Sequence, residues 1–312
     1  MWMTWRDAWS AALYGPDGFY RSQLPADHFR TSVHASPLFS RAILQLVTRT
    51  GARAVTDFGA GSGELLAQLA AAAPDLALTA VEVRARPEGL PEQVAWVPEL
   101  PDRVEGLLIA NELLDNVPCQ VVERTADAWR VVEVQTDTGE ERLGSEANAD
   151  EVAWLTRWWP SSAAGAADGA GQIGQRAEVG LARDLLWVDA CSRVSTGTSL
   201  AIDYGHHADY RPTLSTVRSY RGGRETSLSL DGHHDITAHV AIDSVAAAVG
   251  AETARQRDML YELGLTTMRP DVSTASADPV GYVHALSLAS EAGELVASPG
   301  LGDLLWVMRS HP

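Results

Sequence analysis

Apolar positions along the chain follow two rhythms. Trp5, Ala8, Trp9, Ala12 and Leu13 recur at helical spacing, and Tyr14 to Gly18 breaks that pattern into a turn. Ser36 followed by Pro37 starts a second helix, with serine as N-cap and Phe39, Ile43, Leu44, Leu46 and Val47 as its apolar face. Val55 to Phe58 then reads as a short buried strand, and Leu65, Leu66 and Leu69 return to helical spacing as far as about Ala73. Leu76 to Val83 and Gly106 to Ala110 are further strands. CQVVERT and AWRVVEVQT, between 119 and 143, predict a β-hairpin inserted into the sheet order. A helix over 148–159, an apolar helix over Ala177 to Val194 and a strand over Ser199 to Ile202 follow. The last part alternates strand-like ETARQR and LLWVM with helices near 243–249, at MLYELGL and near 279–291. SSAAGAADGAGQIGQ predicts a mobile loop, and Leu214 to Arg224 an arginine-rich one.

The strand at 55–58 enters its helix through a glycine-rich turn, AVTDFGAGSGELL over 54–66. Gly59, Gly61 and Gly63 let the backbone take positive φ and come close to a ligand, and the helix start offers unpaired N–H groups. Such a turn cradles a nucleotide-like group. A dinucleotide fingerprint needs glycine at the sixth position, where this chain has the carboxylate of Glu64. A Walker-type phosphate loop needs a lysine, and all 24 basic residues are arginine. What remains is a cofactor with an adenosine and no phosphate, or a glycine turn without a ligand. Glu82 lies 25 positions after Asp57, near the roughly 20-residue spacing at which a second-strand carboxylate receives a ribose hydroxyl. A surface glutamate at a strand end is the other reading. The expected architecture is α/β, a Rossmann-like sheet over 51–312 with insertions near 119–195 and 206–240, preceded by a helical extension and cofactor-covering loop over 1–50.

Composition narrows the chemistry. The 312 residues, 46% hydrophobic, suffice for one large or two modest domains. No signal-peptide pattern opens the chain and no apolar run reaches the roughly 18 residues of a membrane span, so a cytoplasmic location without membrane attachment is expected. A net charge of −17 argues against nucleic acid, whose binding depends on basic side chains. It favours a cationic partner such as an arginine-bearing peptide, or serves only to solvate the surface. Without lysine there is no Schiff-base chemistry. Cys119 and Cys191 read as small buried hydrophobes, and His233, His234 and His239 lack metal-ligand spacing, so no metal is expected.

Two strand ends carry the remaining candidates. NELLDNVP, Asn111 to Pro118, stands after the strand ending at Ala110, and open α/β sheets bind ligands outside such ends. Asn111, Glu112 and Asp115 suit a nitrogen nucleophile, because an amide or carboxylate can orient an N–H, and a carboxylate can bind a guanidinium or take a proton. A helix cap or turn is the competing reading for Asp115. Asp203, Tyr204 and Gly205 end another strand in the same way and complete a pocket.

The acidic-x-Gly-x-Gly-x-Gly pattern at Asp57 to Gly63 is similar to motif I of class I S-adenosylmethionine-dependent methyltransferases. In order, nearly the whole chain resembles the MidA family of that class, relatives of the mitochondrial complex I assembly-factor protein-arginine methyltransferase. Gly18-Phe19-Tyr20 looks like the family's Gly-Tyr-Tyr, and His28-Phe29-Arg30-Thr31-Ser32 like its Asp-Phe-x-Thr-Ser-Pro region. Asn111 to Pro118 is similar to Asn-Glu-Phe-x-Asp-Ala-x-Pro, Asp203 to Gly205 to Asp-Tyr-Gly, and Asp235 to Val240 retains Asp-Ile-Thr-Ala-His-Val. Departures are Asp57 for glutamate, His28 for aspartate, Leu113 and Leu114 for aromatics and Asn116 for alanine. The resemblance implies S-adenosylmethionine as cofactor, contacted by Thr31, Ser32, Asp57, Gly59, Gly61, Gly63, Glu82 and Asn111. It implies catalysis by Asn111, Glu112, Asp115 and Asp203 on an arginine of a protein or peptide, in an enzyme for which an oligomer is compatible. A small-molecule methyltransferase, a non-catalytic scaffold that keeps the cofactor and a nicotinamide oxidoreductase stand as alternatives, the last weakened by Glu64.

Overall fold

The computed structural model describes residues 1–22, 31–159 and 172–312. His28, Phe29 and Arg30 of the N-terminal motif, and 161–171 of the expected glycine-rich loop, lie outside the described residues. The chain divides into two compact units. One comprises Arg30–Asn111, Val194–Ile202 and Thr253–Pro312, the other Met1–Phe29, Glu112–Arg193 and Asp203–Glu252.

The first unit is built on a seven-stranded sheet. Its strands are β1 (Ala54–Phe58), β2 (Ala77–Val81), β3 (Val94–Val97), β4 (Val104–Asn111), β5 (Val194–Asp203), β6 (Glu252–Arg255) and β7 (Leu305–His311), in the order β6-β7-β5-β4-β1-β2-β3. β1 runs parallel to β2 and β4, β2 to β3, and β4 to β5. Central parallel strands are covered on both faces and therefore read as unbroken apolar runs. Leu107, Leu108 and Ile109 of β4 are fully buried accordingly. The helix α1 (Pro37–Thr50) starts as its sequence predicts, the Ser36 hydroxyl accepting from the Leu38 N–H. The helix α2 (Glu64–Ala72) buries Leu65, Leu66, Leu69 and Ala70 against this layer.

The second unit carries a five-stranded sheet. Trp2–Thr4, Trp129–Gln135, Gln120–Arg124 and Arg176–Val179 lie side by side in that order, and Glu141–Glu146 also pairs with Trp129–Gln135. The 119–143 hairpin therefore forms as expected, but in this separate antiparallel sheet and not within the parallel one. The segment expected as one helix over 177–194 begins as the strand Arg176–Val179, which pairs with Gln120–Arg124, and becomes helical only over Leu181–Ser192. The expected arginine-rich loop holds the strand Arg218–Arg221, which forms a hairpin with Arg224–Thr226 through Gly222 and Gly223 and also pairs with Asp235–Thr237. Trp5, Trp9 and Leu13 of the helix Trp5–Tyr14 pack on Val121, Val132 and Val134 of the sheet. Among the described residues no helix is long and apolar enough to cross a membrane.

Candidate active site

Between β1 and α2 the three glycines take φ values of 80°, 61° and 84° at Gly59, Gly61 and Gly63. A Cβ on Gly63 would lie 2.8 Å from a Leu90 methyl and 3.4 Å from Trp96. Gly63 thus allows close packing of the helix start. A Cβ on Gly61 would meet only Glu64 Oε2, at 3.8 Å, so its absence keeps the cradle open. Glu82, just after β2, accepts the Gly61 N–H at 3.1 Å through Oε2 and the Arg84 N–H at 3.2 Å through Oε1, and the Arg84 guanidinium lies 3.7 Å from Oε1. A carboxylate offers about four lone-pair sites, which leaves capacity for a vicinal diol.

The other cradle carboxylates form a cluster. Burial, then the charges of Glu64 and Glu82, push the Asp57 carboxyl up to about 7. At Glu64 burial acts upward, but hydrogen bonds from His34 and from nearby N–H groups hold its carboxyl below the usual value. Glu64 Oε2 accepts the Ser62 N–H at 3.2 Å, and Oε1 lies 3.2 Å from His34 Nε2. His34 Nδ1 is in turn 2.8 Å from Thr31 Oγ1. Thr31 is thus tied to the cradle through His34, a residue the sequence reading missed. Ser32 is fully buried and its hydroxyl accepts from Gln256 Nε2 at 3.0 Å. An acidic cradle without lysine, kept open at Gly61, fits a cationic, phosphate-free ligand, as S-adenosylmethionine is.

In the second unit Glu112 directly follows Asn111, the last residue of β4. Glu112 has φ 53°, the one positive value outside glycine among the described residues. Such a backbone costs about 1–2 kcal/mol and persists only where its surroundings impose it. A single 3₁₀ turn, Leu114–Asn116, comes next. Asp203, 1% exposed, fixes that turn. Its Oδ2 accepts the Leu114 and Asp115 N–H groups at 2.8 and 3.1 Å, and its Oδ1 the Tyr204 N–H at 2.8 Å. Burial and the charge of Asp115 raise the Asp203 carboxyl well above its usual range.

Asp115 is itself 6% exposed and its Oδ1 has no hydrogen-bond partner among the described residues. Burial raises its carboxyl to about 6, against the opposing pull of Arg183 and of the Asn116 and Asp115 N–H groups. Asn116 donates to both oxygens of Asp235, each at 3.1 Å, and to the Ile236 carbonyl. Tyr20 also donates to Asp235, at 2.9 Å. Burial, then Asp115, push the Asp235 carboxyl up to about 7.

Arg183 was not identified from sequence. It is 1% exposed and donates to the carbonyls of Val117, His239 and Asp115. Its charge lowers the carboxyls of Asp115 and Asp203 against the effect of burial, without forming a side-chain ion pair among the described residues. Its signal was the i,i+4 pair with Trp187, which marks the buried face of that helix. The structure thus gathers Asp57, Gly59, Gly61, Gly63 and Glu82 in one unit and Glu112, Asp115 and Asp203 in the other, while Asn111 closes β4 in register with Ile202.

Comparison with known proteins agrees with this geometry. A family model described as "Putative S-adenosyl-L-methionine-dependent methyltransferase" matches residues 69–259. A COG1565 superfamily member from Burkholderia thailandensis, solved bound to S-adenosyl-homocysteine, is 25% identical with a TM-score of 0.79, over 99% of this chain and 88% of that one. A native structure of a COG1565 superfamily protein from the same organism is 26% identical with a TM-score of 0.80, over 99% and 87%. No curated protein matches the sequence. A glycine cradle free of phosphate-binding chemistry, the family match and the similarity to a structure that holds the demethylated cofactor lead to one assignment: this chain belongs to the S-adenosylmethionine-dependent methyltransferase family.

Proposed function

We propose that this methyltransferase modifies a guanidinium nitrogen of a protein or peptide arginine, as its resemblance to the MidA family implies. The observation that carries the reading is the Asp115 carboxylate oxygen, buried and unpartnered, on a loop whose neighbour Glu112 is held in a strained backbone conformation. Buried carboxylate oxygens are expected to be hydrogen-bonded, and one that is not is suited to a ligand donor. A guanidinium presents five N–H donors in a planar fork.

Bound S-adenosylmethionine supplies an electrophilic methyl on a sulfonium, and Glu82, Asp57 and Gly61 would hold it. Glu112 would orient the planar fork, and positioning of this kind supplies most of the rate. Positive charge builds on the attacking nitrogen, and the carboxylates of Glu112 and Asp115 stabilise it. Asp115 takes the proton. Free guanidinium has a pKa above 12, so that proton leaves only as the nitrogen becomes methylated. Asp203 acts through the loop by fixing the Leu114 and Asp115 N–H groups. Asp235, Asn116 and Tyr20 brace its far end.

The test is kinetic, with arginine-bearing peptides as acceptors. Glu112→Gln and Asp115→Asn should each lower kcat by about 100-fold, in the range of general acid–base effects, with calorimetric S-adenosylmethionine affinity retained. Full turnover in both variants overturns the assignment.

A further inference from the structure

A groove of about 630 Å³ in the second unit takes no part in the chemistry above. Its lining includes Trp5, Ala8 and Ala12 of the helix Trp5–Tyr14 and Leu230 and Asp231 of the segment over 228–232. Asp17 lies at the turn after the helix. The groove is preformed, because its backbones meet closely: Gly232, at φ 76°, would bring a Cβ to 2.6 Å from the Asp17 carbonyl oxygen. A volume of this size suits a ligand of several side-chain groups.

Its charge has one sign. Asp17, Asp137 and Asp231 line it, and no Arg or His does. Asp137 lies 3.5 Å from the Met1 ammonium, and Asp231 Oδ1 lies 2.8 Å from His234 Nδ1. Asp17 has no ionic or hydrogen-bonded partner among the described residues. The lining also holds alanine, leucine and indole, surface on which the aliphatic stem of a long basic side chain packs while its head reaches a carboxylate.

The groove also adjoins the acceptor loop through the chain itself. Gly15 of its lining follows Tyr14, whose hydroxyl donates to the Asn116 carbonyl at 3.3 Å. Gly232 is three residues before Asp235, a span of at most about 11 Å. An extended peptide advances about 3.3 Å per residue.

We propose that this groove binds the flank of a basic peptide substrate, seating a second arginine or lysine roughly three to five positions from the arginine that is methylated. The proposal rests on the arginine reading above. It adds that the acceptor is recognised as a segment of polypeptide and not as a free amino acid or a small metabolite.

The test uses dye-labelled peptides and fluorescence anisotropy at low salt, with methyl transfer followed in parallel. One peptide carries two arginines four residues apart, and its control has the same length and a single arginine. The two-arginine peptide should bind about fivefold tighter, the size of one well-placed charge contact. Asp17→Arg, on an exposed turn, should abolish the difference, and Ala11→Gln, which narrows the groove without changing charge, should reduce it. Equal binding of both peptides, or a preference that survives Asp17→Arg, overturns the proposal. Retained preference with no methyl transfer to either peptide keeps the groove and overturns the arginine acceptor. Methyl transfer with equal affinities does the reverse.

Discussion

Single residues divide into those that keep space open and those that hold charge. Gly61 keeps space open, so Gly61→Val should weaken S-adenosylmethionine binding by at least about tenfold, or 1.4 kcal/mol, with a melting temperature close to that of Gly61→Ala. Gly63→Ala combines φ 84° with a clash against Leu90. It should lose about 2–4 kcal/mol of stability, measured by denaturant unfolding. Equal stability losses at the two positions would contradict this division. Among the charged residues, Asp57 and Asp235 have carboxyls raised to about 7. Their folded-state values exceed the unfolded ones, so the folded chain retains protons that the unfolded chain releases between about pH 4 and 7. Their contribution is complete below about pH 4 and is lost as pH rises through 7. Unfolding free energy should decline across that window, and less steeply in Asp57→Asn. A slope unchanged by that substitution would remove Asp57 from the account. Catalysis has the opposite dependence. Asp115, raised to about 6, accepts a proton only when ionised, so kcat/KM should rise through about pH 6 and that rise should vanish in Asp115→Asn.

At the scale of elements, the loop over 112–116 is braced by contacts distant in sequence. Asn116 stands where the resembled family has alanine, and it donates to both oxygens of Asp235. Asn116→Ala leaves that buried carboxylate with Tyr20 as its remaining side-chain donor. It should cost about 1–3 kcal/mol of stability and raise KM for the peptide more than it lowers kcat. Elements with local signals were legible in the sequence. Ser36-Pro37 fixed the start of α1, the three glycines fixed the β1 to α2 turn, and the apolar runs fixed β1, β2 and β4. What failed depended on distant partners. Arg176–Val179 reads into the following helix because alanine and glutamate favour helix, yet pairing with Gln120–Arg124 makes it a strand. The sheet that holds the 119–143 hairpin is likewise set by pairing with residues 2–4 and 176–179. The hairpin through Gly222-Gly223 did have a local signal, since both glycines take positive φ in a two-residue turn. Arginines on either side obscured it. Within the site, the strand-end carboxylates were readable by type and position. The roles of Arg183 and His34 were not, because each is defined by groups brought to it in folding.

For the molecule as a whole, the charge of −17 becomes a kinetic property. An acidic surface steers a basic substrate toward its site, and salt screens the attraction with a Debye length of about 8 Å at physiological ionic strength. KM for an arginine-rich peptide should therefore rise with added salt, while the affinity for S-adenosyl-homocysteine, which lacks the sulfonium charge, should change little. One unit carries the phosphate-free glycine cradle, and the other the Leu114–Asn116 turn with the buried carboxyl of Asp115. The most direct measurement is mass spectrometry of a two-arginine peptide after incubation with the protein and S-adenosylmethionine. The account predicts a methyl group on an arginine nitrogen with wild type and its loss in Glu112→Gln, which still binds the cofactor. Cofactor binding by wild type with no methyl on any arginine peptide, or methylation that persists in Glu112→Gln, would contradict it.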